Sequence, residues 1–205
     1  MYSARSRAER RALHWKEVGE CLVDFALLPE NIDINIDTAR QRGLTIEGPL
    51  PGSRLRPDGQ QVSWQFGIPN TCDLPFLCAD VTPRSMRVPG GAARRHPNGT
   101  TGIIGITIVV KDLNASVLRY RALLGIEPQR GATSLLPETK TADFKLISTT
   151  ITLGSPIGKN SSLYNHLTTR GEGHYALRLR TNNNTRSGML DLSLTRNSGI
   201  ELMCN

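Results

Sequence analysis

The order of segments constrains this chain most, because a strand, a helix and three further strands follow one another and the series then begins again. The first series opens at Leu22, where LVDFALL is a short apolar run suited to a strand buried on both faces, and Pro29-Glu30-Asn31 ends it. In IDINIDTARQRG, Ile36, Ala39 and the stem of Arg40 fall at helical spacing, and Gly43 readily takes the left-handed conformation that closes a helix. Strands return in LTIEGPLPGSRLR and, after a turn at Pro57-Asp58-Gly59, in QQVSWQFGI, whose Val62, Trp64 and Phe66 alternate onto one face. The apolar segment DLPFLCADV completes the unit.

TPRSMRVPGGAARRHPNGTT has no periodicity and reads as a linker. GIIGITIVV then opens a second unit with an extended, β-branched run, and Val117, Tyr120, Leu123 and Leu124 of ASVLRYRALLG form one helical face ended by Gly125. TADFKLIST and TTITLGSP supply its remaining strands. After a helical turn around SSLYNHLTTRG, a third opening strand, GEGHYALRLRT, is followed by LDLSL and GIELM strands with almost no room for a crossing helix. The chain therefore reads as an α+β protein of repeated βαβββ modules forming curved mixed sheets: a basic tail or helix over 1–21, a first module over 22–81, a linker over 82–102, a second module over 103–158 and an abbreviated third over 159–205. A module offering one curved sheet face needs a mate to cover it, so three copies leave one unpaired, and a homodimer through that module is expected.

Composition narrows the partners. The formal charge of +7 permits contact with nucleic acid, yet Arg5, Arg7, Arg10 and Arg11 lie in the tail and Arg84, Arg87, Arg94 and Arg95 in the linker, with no interleaved aromatics. A small-molecule ligand is expected instead of nucleic acid. No apolar run has the length of a membrane span, and the start MYSARSRAERRALHW lacks a signal peptide's apolar stretch, so a cytoplasmic protein is expected. The Arg and Ser content of that start has the flavour of a mitochondrial presequence, against which Glu9, Glu17 and Glu20 argue. The four cysteines show neither CxxC nor zinc-finger spacing, and phosphate-loop, dinucleotide-binding, GxSxG and HExxH motifs are absent.

PGSRLRPDGQQVSWQFGIP, LPFLCADVTPR, RRHPNG and GITIVVKDLNASVLRYRALLG together resemble the glyoxalase-like domain proteins of the vicinal oxygen chelate superfamily, over roughly Val23 to Gly125. RGEGHYALRLRT resembles a further module opening. The resemblance implies modules paired into a U-shaped cleft that holds one divalent metal, with His ligands on opening strands and Glu or Gln on closing strands. Vacant coordination positions would then polarise a substrate carbonyl or enediolate. Members usually start with a module whose first strand carries a His, and nothing before Leu22 resembles it, so the chain reads as shortened at its N-terminus.

Laid on that pattern, Gly105, Thr152, Tyr175 and Phe76 stand where ligands are expected, and only Glu201 and Asp24 can bind a metal directly. Glu201 is also the candidate catalytic base, since a lone carboxylate beside an apolar face suits proton abstraction next to a carbonyl. Arg54 and Arg56, two apart on a strand, suit a carboxylate or phosphate; Trp64 is core or a cleft wall; His96 lies on a loop able to reach over a cleft. The expected function is a metal-assisted lyase, isomerase or dioxygenase acting on a small oxygenated substrate with a degenerate metal site. The alternatives are a non-catalytic binder that sequesters a small molecule, and an inactive fragment.

Overall fold

The computed structural model describes Arg7, Glu9 and residues 12–14, 16, 17, 19–130, 137–183 and 187–204. The first module runs β1 (Ala26–Leu27), α1 (Ile32–Gln41), β2 (Ile46–Leu55), β3 (Gln61–Pro69) and β4 (Phe76–Asp80). Asn31 starts α1 by accepting from the Ile34 amide at 3.1 Å, and Ile32, Ile36 and Ala39 form its buried stripe. Of the LVDFALL run, Ala26 and Leu27 pair with β4 and the Phe25 carbonyl accepts from the Phe76 amide; among the described residues β1 is an edge strand. The sheet order is β1-β4-β3-β2, with β1 parallel to β4.

A short helix α2 (Arg84–Arg87) and a 3-10 turn (Gly91–Arg94) lead to β5 (Thr100–Val109), α3 (Leu113–Leu124), β6 (Gln129–Arg130), β7 (Thr139–Lys145) and β8 (Thr150–Pro156). Asp112 caps α3 by accepting from the Ala115 amide, and Gly125 closes it at φ 69°. The order β5-β8-β7-β6, with β5 parallel to β8, repeats the first module strand for strand. Helix α4 (Ser162–Arg170) then leads to β9 (Gly173–Thr181), β10 (Gly188–Met189) and β11 (Gly199–Cys204), again with first and last strands parallel and adjacent. β9 pairs antiparallel with β5, so the second and third units share one seven-stranded sheet, β10-β11-β9-β5-β8-β7-β6.

The expected LDLSL strand is not formed. Asp191 accepts from the Ser193 amide at 2.8 Å and its hydroxyl at 2.7 Å, and the Asp191 carbonyl accepts from the Leu194 and Thr195 amides. The Leu190 amide still donates to the Ile200 carbonyl of β11, and this local turn then takes the segment off the ladder. Leu192 and Leu194 are left exposed.

α1 packs on the first sheet, α3 on the second, and the helices pack on each other. Ile36, Ala39, Leu77, Ile106, Ile108, Tyr120, Leu123, Phe144, Ile151 and Leu153 thereby join one apolar cluster that spans both modules. Polar ties cross it: the Tyr120 hydroxyl donates to the Asp73 carbonyl at 2.7 Å, and Arg119 grips the buried Asp73 carboxylate. Both sheets therefore spend their helix faces on this core and leave the opposite faces for other work. Among the described residues no helix is long and apolar enough to cross a membrane.

Candidate functional site

The register of the seven-stranded sheet fixes which side chains oppose the core. Ile106 and Ile108 belong to the core, so Gly105 and Thr107 of β5 point the other way. Paired positions share a face, which adds Thr150 and Thr152 of β8, Asp143 of β7, Ala176 and Arg178 of β9, and Gly199 and Glu201 of β11. Across the strands, Glu201, Arg178, Gly105 and Thr150 stand in one row. One step along, Gly199, Ala176, Thr107 and Thr152 form the next, and Thr152 donates its hydroxyl proton to Asp143 Oδ1 at 2.7 Å.

Helix α4 contacts β5, β8 and β9, and Thr107 and Thr152 are almost fully buried, so the second row is roofed. Beside it lies a cavity of about 380 Å³ lined by Ala176, Gly199, Met189, Ser162, His166 and Tyr175, among others. Tyr175 donates to the Ser162 hydroxyl at 3.0 Å and meets the His166 ring at 5.4 Å. The bulge between the Thr107/Ala176 and Ile108/His174 pairs carries it out of the regular alternation. Burial, reinforced by Arg170 and His14, holds His166 down at about 4, so its imidazole is neutral at physiological pH.

The row containing Gly105 does not fit a divalent metal. The Arg178 side chain lies across Gly105: a Cβ added there would come within 3.1 Å of Nε and 3.4 Å of Cζ, so an imidazole at this position would have to displace the guanidinium. The Arg178 side chain makes no hydrogen bond or ion pair to another described residue, and neither does the side chain of half-buried Glu201 beside it. Among the described residues no group of three or more His, Cys, Asp and Glu converges as a metal site. A fixed cation beside one carboxylate suits an anionic ligand and opposes a second cation in the same row.

The other candidate metal ligand, Asp24, belongs to the first module, where its two oxygens accept from Arg7 Nε at 2.7 Å and Nη2 at 2.6 Å. Arg7 is 2% exposed, donates also to the Leu74 carbonyl and stands 5.4 Å from the Phe76 ring centroid. Trp64, Phe66, Phe76, Cys78 and Asp80 share the outward face of the first sheet, and the first four of them line a cavity of about 390 Å³ with Leu27, Arg54, Arg84 and Arg87. The hydrogen bond from Arg87, reinforced by Arg84, holds the Asp80 carboxyl below the usual carboxylate range, while burial pushes the Cys78 thiol up. Arg56 lies past the end of β2 and pairs with Asp58 at 3.1 Å, apart from Arg54. His96 is exposed in a turn closed by the Gly99 amide bonding to its carbonyl.

Arg54 and Trp64 are thus brought together on one sheet, and Glu201 lies on the other. The pattern reading missed Arg178 and Asp143. Their signal was available: Arg178 alternates with Leu177 and Leu179, and Asp143 with Ala142 and Phe144, so both must face away from the apolar core.

The family model of the glyoxalase-like domain matches residues 3–124. No curated protein matches the chain significantly. Among solved structures, a hypothetical protein from Staphylococcus aureus matches with a TM-score of 0.62 at 13% identity, covering 89% of this chain and 65% of that one. This chain thus spans less than two thirds of that structure's length. Methylmalonyl-CoA epimerase from Mycobacterium tuberculosis matches with a TM-score of 0.44 at 19% identity, over 55% of this chain and 94% of that one. The family match covers more than half of the sequence and the strand order repeats the module, so the chain belongs to the glyoxalase-like domain family and has the vicinal oxygen chelate fold.

Proposed function

We propose that this glyoxalase-like protein binds a small oxygenated anion on the open face of its seven-stranded sheet, with Arg178 taking the role that a metal has in the superfamily's cleft. The supporting observation is the guanidinium laid across Gly105 with no partner among the described residues. A planar fork of donors recognises a carboxylate or enolate directly, and its charge does not depend on loading with an ion. This favours non-catalytic binding over metal-assisted lyase, isomerase or dioxygenase chemistry.

A catalytic reading keeps Glu201. It stands in register beside Arg178, so it can act as the base that removes a proton next to a carbonyl while the arginine stabilises the resulting enolate. Titration calorimetry with malonate and with pyruvate tests the binding reading, alongside elemental analysis after dialysis against Mn²⁺, Ni²⁺ and Zn²⁺. The expected result is metal-independent carboxylate binding that Arg178→Gln weakens by about tenfold, the loss of one charge-assisted hydrogen bond. Stoichiometric metal lost on Glu201→Ala, with carboxylate binding only to the metal-loaded protein, would overturn it. Deuterium exchange into the pyruvate methyl group, lost in Glu201→Gln, would establish the catalytic reading.

A further inference from the structure

We propose that the outward face of the four-stranded sheet is a second ligand site, shaped for a flat aromatic carboxylate. It is separate from the Arg178 row, because the two lie on different sheets joined through their helices. The two outward faces also differ in chemistry. Arg178, Glu201, Asp143 and threonines make the seven-stranded face polar, whereas the floor here is Trp64, Phe66 and Phe76.

The three rings stand edge to face, Trp64 to Phe66 at 6.0 Å and 74° and Phe66 to Phe76 at 5.7 Å and 62°. Arg7 already stands over Phe76, so Trp64 and Phe66 are the rings at the cavity that a flat π-system would meet. Gly52 holds the wall in place. A Cβ there would come within 2.8 Å of Trp64 Cε2 and 2.9 Å of Phe66 Cε2, so the indole lies flush on the β2 backbone only because position 52 has no side chain.

The rim supplies the charge. Arg84 and Arg87 both bind Asp80, which leaves three guanidinium groups against one carboxylate around the opening. The Arg54 side chain, projecting from β2 opposite Val62, makes no hydrogen bond or ion pair to another described residue. An apolar cavity of about 390 Å³ with one unpaired cation at its edge has the volume and polarity of a small-ligand pocket. It favours a ligand with an aromatic body and one anionic oxygen group over a neutral hydrocarbon or a bare phosphate.

The chain has two tryptophans, so Trp15→Phe leaves Trp64 as the reporter in the wall itself. In that background, 2-naphthoate is expected to quench Trp64 fluorescence saturably, and 2-naphthamide, equal in shape and uncharged, to bind about tenfold more weakly. Arg54→Gln, an exposed substitution, should bring naphthoate down to the affinity of the amide, and Gly52→Ala should weaken both by displacing the indole. Arg178→Gln should leave both unchanged, which separates failure here from failure of the site on the other sheet. The proposal is overturned if quenching does not saturate at millimolar naphthoate, if acid and amide bind equally, or if Arg54→Gln has no effect. Sedimentation showing a dimer in which Trp64 is inaccessible to naphthoate would also overturn it, by making this face an interface between copies.

Discussion

Replacing Asp73 with Asn tests whether the two sheets behave as one folded body. Asp73 lies between β3 and β4, its side chain is 1% exposed, and it receives Arg119 of α3 through Nε at 3.1 Å and Nη2 at 2.7 Å. Asn keeps the shape, and the Asp73 backbone carbonyl that accepts from Tyr120 is untouched. The substitution removes the charge and turns one acceptor into a donor that faces Arg119. Breaking a fully buried pair costs about 3 to 5 kcal/mol. Arg119 is 28% exposed and recovers part of its hydration, so about 2 to 3 kcal/mol is expected here. With a urea slope of about 2 to 3 kcal/mol per molar, the midpoint should fall by about 1 M in a single cooperative transition. Arg119→Leu added to Asp73→Asn should recover part of the loss, because no unpaired guanidinium remains. A midpoint that moves by less than about 0.2 M would show that the pair does not hold the modules together. Two separate transitions in the unsubstituted protein would contradict a shared core and favour the reading of the chain as an unstable fragment.

Phe144→Ala removes a fully buried ring that stacks on Tyr120 at 5.4 Å and should cost about 3 to 5 kcal/mol in urea unfolding, whereas a loss below about 1 kcal/mol would place the core elsewhere. His166 titrates near 4 when folded and at 6.5 when unfolded, so the unfolded chain binds the extra proton between those values. Its contribution is complete above pH 6.5 and is lost as pH falls toward 4. Screening of this partly exposed ring reduces the ideal effect of ~3 kcal/mol to about 1 to 2 kcal/mol. Wild-type stability should therefore fall more steeply than that of His166→Gln over this range, and parallel curves would show that the folded ring takes up its proton normally. Gly105→Ala pushes on Arg178 Nε from 3.1 Å and should weaken malonate severalfold with a stability change under about 1 kcal/mol, measured by calorimetry and urea unfolding in parallel; unaltered malonate affinity would separate Arg178 from the ligand.

Much of the fold was legible because each module switches from a strand period to a helix period and back within a few residues of a cap. Asn31, Asp112 and Gly125 mark those switches, and the structure uses all of them. LDLSL misled because its alternation is genuine while the Asp191 turn that cancels it is local side-chain chemistry, which periodicity does not weigh. Tyr175 stands in the position expected of a ligand, but a register break between β5 and β9 turns it toward Ser162. A bulge of this kind arises from pairing with a strand some seventy residues earlier in the chain, so it leaves no mark on its own segment.

The same distinction governs the charges. Register places Arg178 and Glu201 on the outward face of their sheet, in line with Gly105 next to core Ile106, and Trp64 on the outward face of the other, in alternation with Gly67, which faces core Ile36. What each side chain meets there is set by distant segments: Asp24 by Arg7, Asp80 by the linker's Arg84 and Arg87, and Arg178 by the bare Gly105 two strands from Glu201. A glycine in the ligand position reads from sequence as a loss. On the sheet it is the space over which the Arg178 side chain lies, so a position read as lacking a ligand is one that accommodates a fixed cation.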